Sequence, residues 1–145
     1  MRVAVGGLCR ELLHCAGIEL AAHVVELGGV NVQSADLAPM EIAARTAESS
    51  VYCVDPETTV RMEQAIRECT PGRDTLGGVY EVVAEGVPPG LCSHASYDRR
   101  LDGRLAGALM SIPAMKGVEI GIGFEAARRR GSAVHDEILW EPDRG

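Results

Sequence analysis

The groups in this chain that could do chemistry are four histidines, five cysteines and three clusters of charge. His14, His23, His94 and His135 stand far apart, and none pairs with a second His or Cys at a tight metal-ligand spacing. His14 adjoins Cys15, but neighbours on a helix point in different directions. No metal is expected. Cys9, Cys15, Cys53, Cys69 and Cys92 are odd in number and contain no CxxC pair, so reduced thiols are expected rather than a disulfide framework or a zinc knuckle. His135-Asp136-Glu137 has the composition for general acid–base work, or for an ordinary polar loop. Asp98 and Asp102 lie one helical turn apart, as paired carboxylates would. Arg99, Arg100 and Arg104 surround them, which favours a solvated face of ion pairs. Arg128-Arg129-Arg130 could hold a phosphate or carboxylate, or could line an exposed turn. No Walker loop, nucleophile elbow or GxGxxG pattern is present. These residues on their own nominate no catalytic group.

The elements that would position them must come from one ordinary core, because 145 residues suffice for a single domain spanning 1–145. Apolar residues make up 46% of the chain but aromatics only 3%, so that core must be aliphatic. A net charge of −7 argues against nucleic acid or an anionic membrane as partner. No apolar run approaches a membrane span, and no signal-peptide h-region follows Met1, so a cytoplasmic location is expected.

Val3, Val5, Leu8, Cys9, Leu12, Leu13 and Ala16 recur at helical spacing, with Gly17 as the stop. Ile18 to Leu27 reads as a half-buried strand with Ile18, Leu20, Ala22 and Val24 on its apolar side, ended by Gly28-Gly29. A helix follows Asp36, with Pro39 in its first turn. Asp55-Pro56 reads as an N-cap followed by proline at the first helical position. The stripe Thr59, Met62, Ile66 and Cys69 continues that helix to the break at Thr70-Pro71-Gly72. Leu76 to Val87 reads as a second strand with Tyr80, Val82 and Ala84 on one side and Glu81 and Glu85 on the other. A third long helix starts near Asp98 and stops at Pro113. Met115 to Phe124 is expected to form a third strand. Gly117, Gly121 and Gly123 would line one face of it, suited to a packed helix or to close approach of a ligand. Ile138-Leu139-Trp140 begins another strand, and Glu141 to Gly145 reads as a turn. The pattern is already running at Met1 and stops at an unreturned turn, so an interior piece of a larger fold is expected.

Several segments, in order, resemble those of the chorismate synthase family. Gly17-Ile-Glu-Leu-Ala-Ala-His-Val-Val-Glu26 is similar to a family strand. Cys53-Val-Asp-Pro56 matches its Cys-x-Asp-Pro turn. Asp74-Thr-Leu-Gly-Gly-Val79 and Gly86-Val-Pro-Pro-Gly-Leu91 match two further landmarks. Leu109-Met-Ser-Ile-Pro-Ala-Met-Lys-Gly-Val-Glu-Ile-Gly121 is close to a verbatim family motif, and Arg130-Gly-Ser132 and His135-Asp-Glu137 complete the match.

The resemblance implies an α+β fold with the β-α-β sandwich core of that family. It implies a lyase of the shikimate pathway, in aromatic amino acid biosynthesis. Such an enzyme converts 5-enolpyruvylshikimate 3-phosphate to chorismate and phosphate by anti-1,4 elimination. It requires reduced FMN (FMNH2) and assembles as a homotetramer. Through the Ser-Ile-Pro-Ala stretch, the resemblance gives Pro113 and Ala114 as cofactor-binding residues. The family's two catalytic histidines lie in Gly-Glu-Ser-His-Gly and Arg-Pro-Gly-His-Ala-Asp segments that do not occur here, so no catalytic residue carries over. The Asn-x-Ala-Gly-Gly and Lys-Pro-Ile-Pro-Thr segments are absent as well. Ile122 replaces the usual Asp of Gly-Asp-Gly-Phe, and Cys92 replaces a usual Gly. The expectation is a chorismate synthase segment lacking both family ends and inactive in isolation. The alternative is a non-catalytic binding module or a subunit completed by a partner chain.

Overall fold

Asp55 shows how local sequence sets the frame. The Asp55 carboxylate accepts the Thr58 N–H at 2.7 Å and caps a helix that opens with Pro56. A computed structural model describes residues 1–32 and 37–135. Its elements are α1 (Arg2–Cys15), β1 (Glu19–Leu27), β2 (Val30–Asn31), α2 (Pro39–Thr46), α3 (Pro56–Cys69), β3 (Gly78–Glu85) and α4 (Leu101–Met110). Short 3₁₀ turns at Thr70–Gly72, Tyr97–Arg99, Gly123–Arg128 and Gly131–Ala133 connect or follow them. Asp36, the Ile138–Trp140 strand and the Glu141–Gly145 turn lie outside the described residues. The chain is α+β and divides into two compact units, Met1–Pro88 and Pro89–Gly145.

In the first unit, β1 is the centre of an antiparallel sheet ordered β2-β1-β3. The β1–β2 turn is made by Gly28 and Gly29, both at positive φ (57° and 82°), a conformation an L side chain resists. His23 stands opposite Glu81 and Ala21 opposite Val83, with an irregularity in register between Val24 and Glu26. These residues share one face of the sheet, and that is the face the fold covers. Ala21, Ile42 and Val54 form the core, with Val32, Leu37 and Val83 packed around it.

Within β1 the buried positions are therefore opposite to those hydrophobic alternation selects, although Ile18, just before the strand and in the expected set, is buried. Ala21 and His23 are buried while Ala22 is exposed, and Val82 on the Ala22 side is 48% exposed. The reason is connectivity. The chain between β2 and β3 supplies α2, Ile42 and Val54 to the Ala21 side. The apolar Leu20, Ala22, Val24 side receives no comparable cover among the described residues.

No residue of α1 is buried, although Leu8 and Leu12 follow the expected apolar stripe. Met62 of α3, by contrast, is fully buried. In the second unit no described residue is buried. The expected strand over Met115–Phe124 does not form. Residues 115–120 are irregular, and a 3₁₀ segment begins at Gly123. Left-handed backbone at Ala114, Gly121 and Gly123 breaks the extended path. Glycines also contribute little side-chain packing to a strand.

The α3 cap carries a pH signature. Hydrogen bonding to Thr58 is the first cause that holds the Asp55 carboxyl below its ordinary value. A lowered folded-state pKa means the cap's contribution is present above the unfolded carboxyl pKa and is lost as pH falls through the folded one. Asp55→Ala is expected to lower the melting temperature by several degrees at neutral pH. The difference from wild type should shrink on acidification below the ordinary carboxylate range. A gap that persists unchanged in strong acid would show that the cap does not act through its charge.

Candidate functional site

The stretch that ends α4 turns on a tight corner. Ser111 N–H bonds back to Gly107 O at 3.1 Å and closes the last helical turn. Pro113 cannot donate to a helical ladder, so the helix gives way there. The Met115 N–H donates to Ile112 O at 3.3 Å, which makes Ile112-Pro113-Ala114-Met115 a hydrogen-bonded β-turn. Proline at its second position and positive φ at its third match the type II pattern. The third position normally takes Gly or Asn, yet here Ala114 holds φ 70°. Left-handed backbone costs an L residue about 1–2 kcal/mol, so the turn holds local strain. Pro113 and Ala114 are both exposed. They present backbone, the Pro113 ring and the Ala114 methyl group to whatever approaches.

Downstream, Glu119 lies over Gly123. A Cβ on Gly123 would come within 2.6 Å of the Glu119 Cδ and 2.7 Å of its Cβ, and Gly123 itself has φ 51°. Only glycine accepts both the conformation and the contact. Gly123→Ala is expected to push Glu119 off this position and loosen the 119–125 segment. Faster amide exchange in that segment would show it, and unchanged exchange would count against the packing.

Among the described residues the other candidate groups do not converge. Asp102 is bound by Arg100, whose Nε lies 3.1 Å away, and by the Gly103 N–H at 2.7 Å. The Arg100 hydrogen bond is the leading cause of its lowered carboxyl pKa. Asp98 accepts from the Ser96 hydroxyl. The ion-pair reading thus holds for Asp102 with Arg100, whereas Asp98 sits in the Tyr97–Arg99 turn ahead of α4 with a serine hydroxyl as its partner, so the two carboxylates do not share one helix. Arg128 and Arg129 both lean on Glu125, at 2.9 and 3.7 Å. His14 pairs with Glu19 on the surface, and His94 and His135 are exposed. Asp136 and Glu137 lie outside the described residues. All five cysteines are free, and Cys53 is buried. Among the described residues no three His, Cys, Asp or Glu side chains gather as metal ligands.

Sequence reasoning gave no role to His23, which is 2% exposed. Its Nε2 lies 2.9 Å from Glu81 Oε2, and its Nδ1 is buried without a hydrogen-bond partner among the described residues. The signal was present in the alternation, since His23 and Glu81 lie on facing polar positions of neighbouring strands. A cleft of about 310 Å³ borders Asn31, Arg45, Asp55, Thr58 and Arg61. Arg45 is already paired with Glu41 at 2.5 Å, and Asp55 is engaged in capping.

Comparison with known proteins gives the family of the chain. The sequence pattern of the family described as chorismate synthase matches residues 1–144. This chain belongs to the chorismate synthase family. The chorismate synthase of Geobacillus kaustophilus is 49% identical over 146 aligned residues, covering all of this chain and 38% of its own length. That of Shouchella clausii is 51% identical over 146 residues, covering all of this chain and 37% of its own length. The chain thus spans well under half the length of these curated relatives. A solved structure titled "Crystal Structure of Chorismate Synthase" superposes with a TM-score of 0.91 at 43% identity, over 99% of this chain and 46% of that one. The α+β architecture is that of the family. Among the described residues no helix is long and apolar enough to cross a membrane.

Proposed function

We propose that this chain supplies part of a chorismate synthase site, for a lyase that forms chorismate and phosphate from 5-enolpyruvylshikimate 3-phosphate. The observation that carries the reading is the exposed Ile112–Met115 turn with Ala114 in left-handed backbone, within a family match along the chain. The corner fits the rim of a flat cofactor such as reduced FMN. It is exposed, its backbone is closed by the Met115 N–H to Ile112 O hydrogen bond, and no bulky side chain stands at Ala114. It offers an edge and not a full cradle. Reduced flavin, when bound, supplies the electron density that a carbon–oxygen elimination without net redox change requires. Pro113 ends α4 and fixes the entry to the turn, and Ala114 sets the direction of the backbone that faces the ligand. The two segments that carry the family's catalytic histidines do not occur in residues 1–145, so this chain alone is expected to give no turnover. A homotetramer in the cytoplasm is the working assembly of this proposal.

The decisive experiment replaces the matching segment of the Geobacillus kaustophilus enzyme with residues 1–145. The folded hybrid is expected to form chorismate from 5-enolpyruvylshikimate 3-phosphate with reduced FMN. A hybrid that folds and binds flavin yet releases no chorismate would overturn the reading, and chorismate release by the isolated chain would overturn the expected inactivity.

The second reading, a non-catalytic module or a subunit completed by a partner chain, draws on the exposure of Leu8 at 74% and Leu12 at 72% on α1. A stable monomer by native mass measurement, with no partner recovered, would count against it.

A further inference from the structure

We draw no further inference here: the strongest candidate, the open apolar face of the β1–β3 ladder at Leu20, Ala22, Val24, Tyr80, Val82 and Ala84 beside the exposed stripe of α1, carries nothing because nothing in the structure shows what covers it.

Discussion

Gly86→Ala is expected to disrupt the β1–β3 ladder and with it the first unit. Gly86 follows the last residue of β3 at φ 75°, where an alanine already costs about 1–2 kcal/mol. The larger effect is steric. A Cβ there would overlap the backbone oxygen of Gly17 and come within 3.2 Å of its carbonyl carbon and 3.6 Å of the Ile18 Cα. These are backbone atoms of the turn between α1 and β1, so no rotamer change relieves the clash. Either the Glu19–Glu85 end of the ladder opens or the turn moves. Ile18 is 6% exposed beside this point, so movement uncovers apolar surface as well. A total loss of about 3 kcal/mol or more is a large fraction of the stability of a small unit. Circular dichroism through a thermal ramp should show a strongly lowered or absent transition. Gly29→Ala is the internal comparison, because Gly29 also has positive φ (82°) but meets nothing within 4 Å. It should cost only the backbone strain. Equal losses in the two variants would show that the close approach of Gly86 to Gly17 is unimportant.

That contrast also shows which parts of the fold the sequence exposes to a reader. Local chemistry was legible. Asp55-Pro56 starts α3, Gly28-Gly29 ends β1, and Pro113 stops the helix before it. Each depends on a few adjacent residues and on backbone rules that hold in any context. The buried face of the sheet was not legible from alternation. Leu20, Ala22 and Val24 are the more apolar set, yet Ala21 and His23 are buried, because α2 and Val54 return to that side. Which face is covered is a property of connectivity across about fifty residues and not of any one strand. The strand expected over Met115–Phe124 failed for a similar reason. Its Val118, Ile120, Ile122, Phe124 alternation is genuine, but a strand exists only with a ladder partner. Three left-handed positions between Ala114 and Gly123 oppose one. The proposed cofactor corner came from motif and not from geometry: family resemblance nominated Pro113 and Ala114, and only the backbone angles revealed that an alanine sits where a type II turn usually has glycine.

That alanine gives the second large prediction, which rests on the proposed flavin role. In the hybrid enzyme, Ala114→Val is expected to weaken reduced-FMN binding about tenfold or more, equivalent to about 1.4 kcal/mol. A β-branched side chain at φ 70° is a more severe outlier than alanine, so the Ile112–Met115 turn must rearrange. Ala114→Gly acts in the other direction. It removes the left-handed penalty but adds chain entropy of about 0.5–1 kcal/mol in the unfolded state, so stability should change little. Flavin affinity in the glycine variant then separates two roles. If the turn's shape is what the cofactor reads, affinity stays near wild type. If the methyl group itself packs on the cofactor, affinity falls while the fold is intact. Only a loss of affinity in the folded glycine variant places the Ala114 methyl at the flavin, and unchanged affinity leaves the valine variant to decide whether the turn positions it. The opposing result is a valine variant with wild-type melting behaviour and wild-type flavin affinity, because a corner so insensitive to its own backbone cannot be positioning a ligand. Measuring flavin fluorescence and melting on the same samples keeps loss of binding distinct from loss of folding. The absence of buried residues among those described in the second unit makes the hybrid, rather than the isolated chain, the proper setting.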